Sequence, residues 1–228
     1  MKTFATGMMV VLALAAVPAM ASITNPHVAG SFQGWDPAAN PMSEVSAGVW
    51  EASFTGLTPS NREEFKITNG TWDETYPGAN SWLFTDADGA ITITYDTNTY
   101  DDGWAPNVDR LGLSTDPGTW TAVGDWQGWD ASNPATEMAA QGGGIYMYEQ
   151  VFDPGEHLWK AVVTGSWDSI SWDGRSINTA NMTFVTDDVN DTARLWVNAF
   201  DGTVKVDVVP EPASLLGLAL LGLMLRRR

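Results

Sequence analysis

His27-Val-Ala-Gly-Ser-Phe-Gln-Gly-Trp-Asp36 and Thr121-Ala-Val-Gly-Asp-Trp-Gln-Gly-Trp-Asp130 are one phrase written twice, with Gln-Gly-Trp-Asp identical in both copies. The correspondence continues in register. Asn40-Pro41 answers Asn133-Pro134, and Gly48-Val-Trp-Glu-Ala-Ser-Phe54 answers Gly144-Ile-Tyr-Met-Tyr-Glu-Gln150. Further on, Phe65-Lys66 answers Trp159-Lys160 and Thr71-Trp72-Asp73 answers Ser166-Trp167-Asp168. Matched blocks in the same order signify an internal repeat. The sequence therefore divides into two homologous domains, 24–108 and 119–209, joined by a linker at 109–118 within a stretch rich in Gly, Pro and Asp.

Within each copy the apolar residues recur with period two. Ile91, Ile93 and Tyr95 alternate with Thr92 and Thr94, and Val204, Val206 and Val208 alternate with Lys205 and Asp207, the pattern of half-buried antiparallel strands. Asp201-Gly202 has the composition of a two-residue hairpin turn, and Asn69-Gly70, Asp88-Gly89 and Asp153-Pro154-Gly155 mark further reversals. No amphipathic helix longer than a turn or two stands out before the tail. Short strands and turns at this spacing predict an all-β chain built as two tandem immunoglobulin-like β-sandwiches.

The two ends carry transport information. Lys2, an apolar run from Met8 to Val17 and the small-residue site Ala19-Met20-Ala21 have the order of a secretory signal helix over 1–21, cleaved after Ala21. At the other end an apolar run from Ser214 to Leu225 is followed by Arg226-Arg227-Arg228. As a helix, a dozen residues rise only about 18 Å against roughly 30 Å of hydrocarbon, so a membrane span here is short and transient, with the arginines held on the cytoplasmic side. Pro210-Glu211-Pro212, the apolar run and the terminal arginines resemble the PEP-CTERM sorting signal of bacterial envelope proteins. That resemblance implies recognition and processing by an exosortase-type membrane protease after secretion across the inner membrane. The destination it implies is the cell surface or the exopolysaccharide matrix.

Composition narrows the partners. Without Lys2 and the three terminal arginines, seven basic side chains face 28 acidic ones, a net charge of about −21. Such a surface repels polyphosphates and excludes nucleic acid as a partner; a neutral saccharide, a cation-bridged matrix or a basic partner fits better. The absence of cysteine rules out thiol catalysis and cysteine metal sites, and leaves stability to the core even in an oxidising compartment.

Twelve tryptophans are concentrated in the matched blocks. Strand alternation in Phe65-Lys66-Ile67 and Trp159-Lys160-Ala161 turns the aromatic inward and the lysine outward. The two copies also resemble starch- and glycogen-binding modules, through Gly30-Ser-Phe-Gln-Gly-Trp35, Gly124-Asp-Trp-Gln-Gly-Trp129 and Gly155-Glu-His-Leu-Trp-Lys160 followed by Gly165-Ser-Trp167. Phe65 to Asp73 is similar to accessory modules of amylopullulanase-type enzymes. The resemblance implies a glycan face made of Trp35, Lys66 and Trp72 in the first copy and Trp129, Lys160 and Trp167 in the second, with Asn80 and Asn181 as further contacts. An indole can stack on the C–H face of a pyranose while an ammonium donates to its hydroxyls. The first copy departs from the pattern with Arg62-Glu63-Glu64 where Gly-Glu-His is expected. The alternative for each residue is structural: indoles capping the core, Asp closing an Asx-turn, lysines solvated on a strand.

Catalysis finds no support. Paired carboxylates carry no information among so many, His27 and His157 are not equivalently placed, and there is no nucleophile elbow or phosphate loop. Acidic turns such as Asp86-Ala-Asp88 lack the ligand order of a calcium loop. The expected function is that of an exported, surface-directed, non-catalytic polysaccharide-binding protein with an α-glucan ligand and no cofactor or metal. The alternative is a structural matrix or envelope protein without sugar binding.

Overall fold

The structure, a computed structural model, describes residues 22–177 and 179–210. Among the described residues sixteen strands run in chain order, with helix confined to single 3-10 turns. The first half contains β1 (His27–Gly30), β2 (Ser43–Ser46), β3 (Val49–Phe54), β4 (Arg62–Thr68), β5 (Thr75–Phe84), β6 (Ile91–Asp96) and β7 (Arg110–Leu113). The second contains β8 (Trp120–Gly124), β9 (Ala139–Gly142), β10 (Ile145–Val151), β11 (Gly155–Val163), β12 (Ser169–Ser171), β13 (Gly174–Ser176), β14 (Met182–Thr186), β15 (Thr192–Asn198) and β16 (Thr203–Val209). The all-β expectation holds, and so does the internal register. Gly30 faces Phe65 across β1 and β4 as Gly124 faces Trp159 across β8 and β11. The stretch expected as a linker contributes β7, the edge strand beside β6.

The expected pair of immunoglobulin-like sandwiches is corrected. The strands form four small antiparallel sheets, β1-β4-β5, β2-β3-β6-β7, β16-β15-β10-β9 and the five strands around β11, and these stand in a propeller-like ring. The residues expected to form the signal helix and the C-terminal apolar helix, 1–21 and most of 209–228, lie outside the described residues. Among the described residues no helix is long and apolar enough to cross a membrane.

The reason for the ring lies in side chains that cross between the halves. One core cluster holds Val28, Phe65, Ile67, Leu83, Ile91, Ile93 and Tyr95, all from the first half. A second, larger one gathers Trp120, Trp159, Ala161, Leu195 and Val197 of the second half, but also Trp82 and Ala105 of the first. β13 sits where the sheets meet, packed against β5, β7 and β16. From it Arg175, 1% exposed, donates to the carbonyls of Leu111 and Ala199, and its guanidinium lies 4.5 Å from the centre of the Trp82 ring. Burial pulls the Arg175 pKa down to about 9, since desolvation disfavours the charged form. No sandwich closes on its own core when its strands hand such groups to the neighbour.

Candidate functional site

Each Gln-Gly-Trp-Asp block is a turn that closes on itself. Gln33 donates from its amide to the carbonyls of Val28 (3.1 Å) and Asp36 (2.8 Å), and its side-chain oxygen accepts from the Asp36 N–H (2.7 Å). Gln127 does the same with Ala122 and Asp130. Asp36 and Asp130 then accept from the N–H groups of Ala38 and Ser132, making Asx-turns. Between these clamps the backbone stays left-handed for two residues. Gly34 and Gly128 tolerate this, but Trp35 and Trp129 both sit at φ 61°, a region that bulky L-residues avoid. Strain of this kind, of order 1–3 kcal/mol, persists only where surrounding bonds enforce it, and it recurs at functional sites.

The loops after β4 and β11 fold onto these turns. Thr68 Oγ1 donates to the Pro37 carbonyl at 2.8 Å, and the Gly165 N–H donates to the Ala131 carbonyl at 2.9 Å. In the first half this brings Trp35 and Trp72 together, with ring centroids 6.4 Å apart and planes tilted by 41°. Trp72 is 48% exposed. In the second half Trp129 rests on Val123, Ala131 and Val162, while Trp167 stands 53% exposed and makes no ring contact with it.

Phe65 and Trp159 are fully buried, and the lysines between them and the next inward residue project from the opposite face, as alternation predicts. The lysines are not free, however. Lys66 Nζ donates to the carbonyls of Pro77 (2.8 Å) and Gly78 (2.6 Å), and Lys160 Nζ to that of Thr179 (2.6 Å). Partial burial lowers the pKa of both, and for Lys160 the Asp173 carboxylate works against that shift. An ammonium has three donors, so each lysine can brace its loop and still offer a hydrogen bond outward.

Asn80 is not placed as a free contact: its amide donates to Glu64 at 2.8 Å. Asn181 is exposed immediately before β14. The departure at Arg62-Glu63-Glu64 also has a physical account. Arg62 donates from Nε and Nη2 to the two Asp168 oxygens, both at 2.6 Å, and from Nη1 to Glu64 at 2.9 Å. Asp168 raises the Arg62 pKa, chiefly through that hydrogen bond, while the Asn80 bond and then Arg62 hold the Glu64 carboxyl below its ordinary value. The first half has a carboxylate and a guanidinium here because they tie it to the turn that carries Trp167. Sequence reasoning missed this link, whose only trace is the broken family pattern.

If the clamp strains the tryptophan backbone, glycine should be the better replacement. Trp129→Gly and Trp129→Ala lose the same indole, yet the glycine variant is expected to be more stable by roughly 1 kcal/mol in urea unfolding. An alanine variant of equal or greater stability would show that φ is unstrained.

His27 Nδ1 and His157 Nε2 donate locally, to the carbonyls of Asn25 and Asp153. Among the described residues no group of carboxylates and histidines is arranged to hold a metal ion. The signal-cleavage residues Ala19 and Ala21, and Glu211, Pro212 and Arg226 to Arg228, lie outside the described residues; Pro210 directly follows β16.

Residues 208–228 match the PEP-CTERM protein-sorting motif. The chain thus carries the mark of an exported protein that an exosortase processes for the cell surface or beyond. The match begins at Val208, within the last two residues of β16, so the sorting segment leaves directly from the outer strand of its sheet. No curated protein sequence matches the chain. Among solved structures, the pullulanase from Bacillus acidopullulyticus is similar over 82% of this chain and 28% of its own length, with 12% identity and a TM-score of 0.30. The chain therefore spans little more than a quarter of that enzyme, and at this TM-score the likeness carries no argument.

Proposed function

We propose that the processed protein is a non-catalytic polysaccharide-binding protein of the cell surface or its matrix, with a neutral α-glucan as ligand. The observation that carries this is the pair of strained indoles, Trp35 and Trp129, each fixed by a glutamine clamp, the first of them against the half-exposed ring of Trp72. A rigid aromatic face is suited to stacking on a sugar ring. The acidic body favours uncharged chains over anionic ones. Export to a surface layer gives such a face its opportunity.

Affinity electrophoresis of the processed protein in gels containing starch, glycogen or an unrelated β-glucan tests the proposal. Retardation is expected in the α-glucan gels, weakened about tenfold by Trp72→Ala and again by Trp167→Ala, the loss of one stacking contact each. Retardation in none of the gels would sink the proposal. A structural matrix protein is the second reading. It is favoured by the engagement of Lys66, Lys160 and Asn80 with the protein's own groups, and it expects no retardation at all.

A further inference from the structure

Two tryptophans from outside the repeated blocks line one groove at the junction of the halves. Trp104 comes from the segment between β6 and β7, and Trp172 from the turn between β12 and β13, where it is 42% exposed. Together with Tyr100, Asn107 and Met182 they line a groove of about 180 Å³. Neither the Asn107 side chain nor that of neighbouring Asp101 makes a hydrogen bond within the described residues, and both are exposed. Tyr100 also lines a second, larger cleft of about 680 Å³, in the size range of ligand sites. The outward row of β6, Thr92 and Thr94, forms that cleft's floor with Glu51 of β3, and Phe200 and Asp201 from the β15–β16 turn form a wall. The partition between the two spaces is braced. The Arg110 guanidinium lies 4.3 Å from the centre of the Tyr100 ring and is held by both oxygens of Asp102 at 2.9 Å.

We infer that this junction is a second saccharide-binding site, with Trp104 and Trp172 as stacking faces, Asn107 and Asp101 as partners for ring hydroxyls, and the cleft beyond Tyr100 receiving the continuing chain. The smaller groove has room for a ring rather than for a large ligand, and its two indoles come from different halves. Threonine hydroxyls and carboxylates along the cleft accept hydrogen bonds from a polyhydroxylated chain and repel an anionic one. A metal ion does not fit, because no three ligating side chains converge there among the described residues. A small organic cation would find one acidic partner at the indoles, but the Tyr100 face is already taken by Arg110. The ligand class rests on the saccharide reading above; the location does not.

The test is calorimetric titration of the processed protein with maltoheptaose, cellohexaose and choline, in the parent and in Trp35→Ala/Trp72→Ala/Trp167→Ala. Saccharide binding is expected to survive in the triple variant and to fall about tenfold when Trp172→Ala or Asn107→Ala is added, both being exposed positions whose change leaves the core intact. Loss of all binding in the triple variant itself would overturn the junction site and keep the repeat sites. Full affinity in the triple variant, abolished by Trp172→Ala, would keep the junction and overturn the repeat sites. Residual binding indifferent to Trp172→Ala and Asn107→Ala overturns the inference, as does choline binding that Trp172→Ala removes. Binding of neither saccharide to any form overturns the ligand class for both.

Discussion

Trp82→Ala is expected to lower the unfolding free energy by about 4 kcal/mol, the scale for deleting a fully buried indole. Trp82 has no exposed surface, and although it belongs to β5 its neighbours are largely those of the other half. Its ring centre is 5.9 Å from that of Trp120, and its Nε1 donates to the Ser169 carbonyl at 3.1 Å. Alanine would open a cavity, leave that carbonyl short of a partner and strip the Arg175 guanidinium of the aromatic face it lies on. Small domains are stable by only about 5–15 kcal/mol, so the loss would be a large share of the total. Urea unfolding followed by far-UV circular dichroism measures it, with Trp72→Ala as an exposed control expected to shift little. Because the ring crosses the junction, native-state hydrogen exchange at Ala161 and Val162 in β11 should accelerate too. Unchanged protection in the second half, with the loss confined to β4 and β5, would mean that the halves unfold independently.

That same residue shows where sequence reading stops. Period-two alternation marks Phe65, Trp159, Ile91, Ile93 and Tyr95 as inward, and they are buried as it says. The repeat places the Gln-Gly-Trp-Asp turns at equal register on β1 and β8, before the lysines on β4 and β11. Alternation tells which face of a strand Trp82 occupies. It cannot tell whose sheet that face meets, because a strand covered by its own partner sheet and one covered by a neighbouring half have the same pattern. Arg175 was invisible for a related reason: a lone arginine in a short polar segment reads as surface, yet here it is desolvated between sheets. The ring of four sheets follows from such crossings. The site divides similarly. The resemblance to starch- and glycogen-binding modules implied Trp35, Trp72, Trp129 and Trp167, but the glutamine clamp and the left-handed tryptophans left no mark in the sequence pattern. Nor did the engagement of both lysines by carbonyl groups. The broken Gly-Glu-His pattern at Arg62-Glu63-Glu64 was legible only as a departure; its cause lies 106 residues further along the chain, at Asp168.

Arg62→Ala is expected to cost about 3 kcal/mol and Asp168→Ala only about 1 kcal/mol, although the two remove the same pair of hydrogen bonds. The asymmetry comes from what each leaves behind. The Asp168 side chain is 6% exposed, so without Arg62 a carboxylate stays buried with no hydrogen-bonded cation, Arg175 acting on it only through its charge. The Arg62 side chain is 38% exposed, so without Asp168 it keeps its bond to Glu64 and regains water. Removing one member of a buried pair costs about 3–5 kcal/mol; the lower end applies because solvent screens the arginine side. The double variant should therefore resemble Asp168→Ala, giving a coupling energy of roughly 2–3 kcal/mol in a thermodynamic cycle measured by urea unfolding. Arg62→Lys should recover only part of the loss, since an ammonium cannot reproduce the two-pronged contact. Equal single effects that simply add would show the pair to be a solvated surface contact. Because Asp168 follows Trp167, the bridge also sets that indole's turn from the opposite half of the molecule. Arg62→Ala should accordingly weaken polysaccharide retardation that depends on Trp167 while leaving the contribution of Trp72 in place.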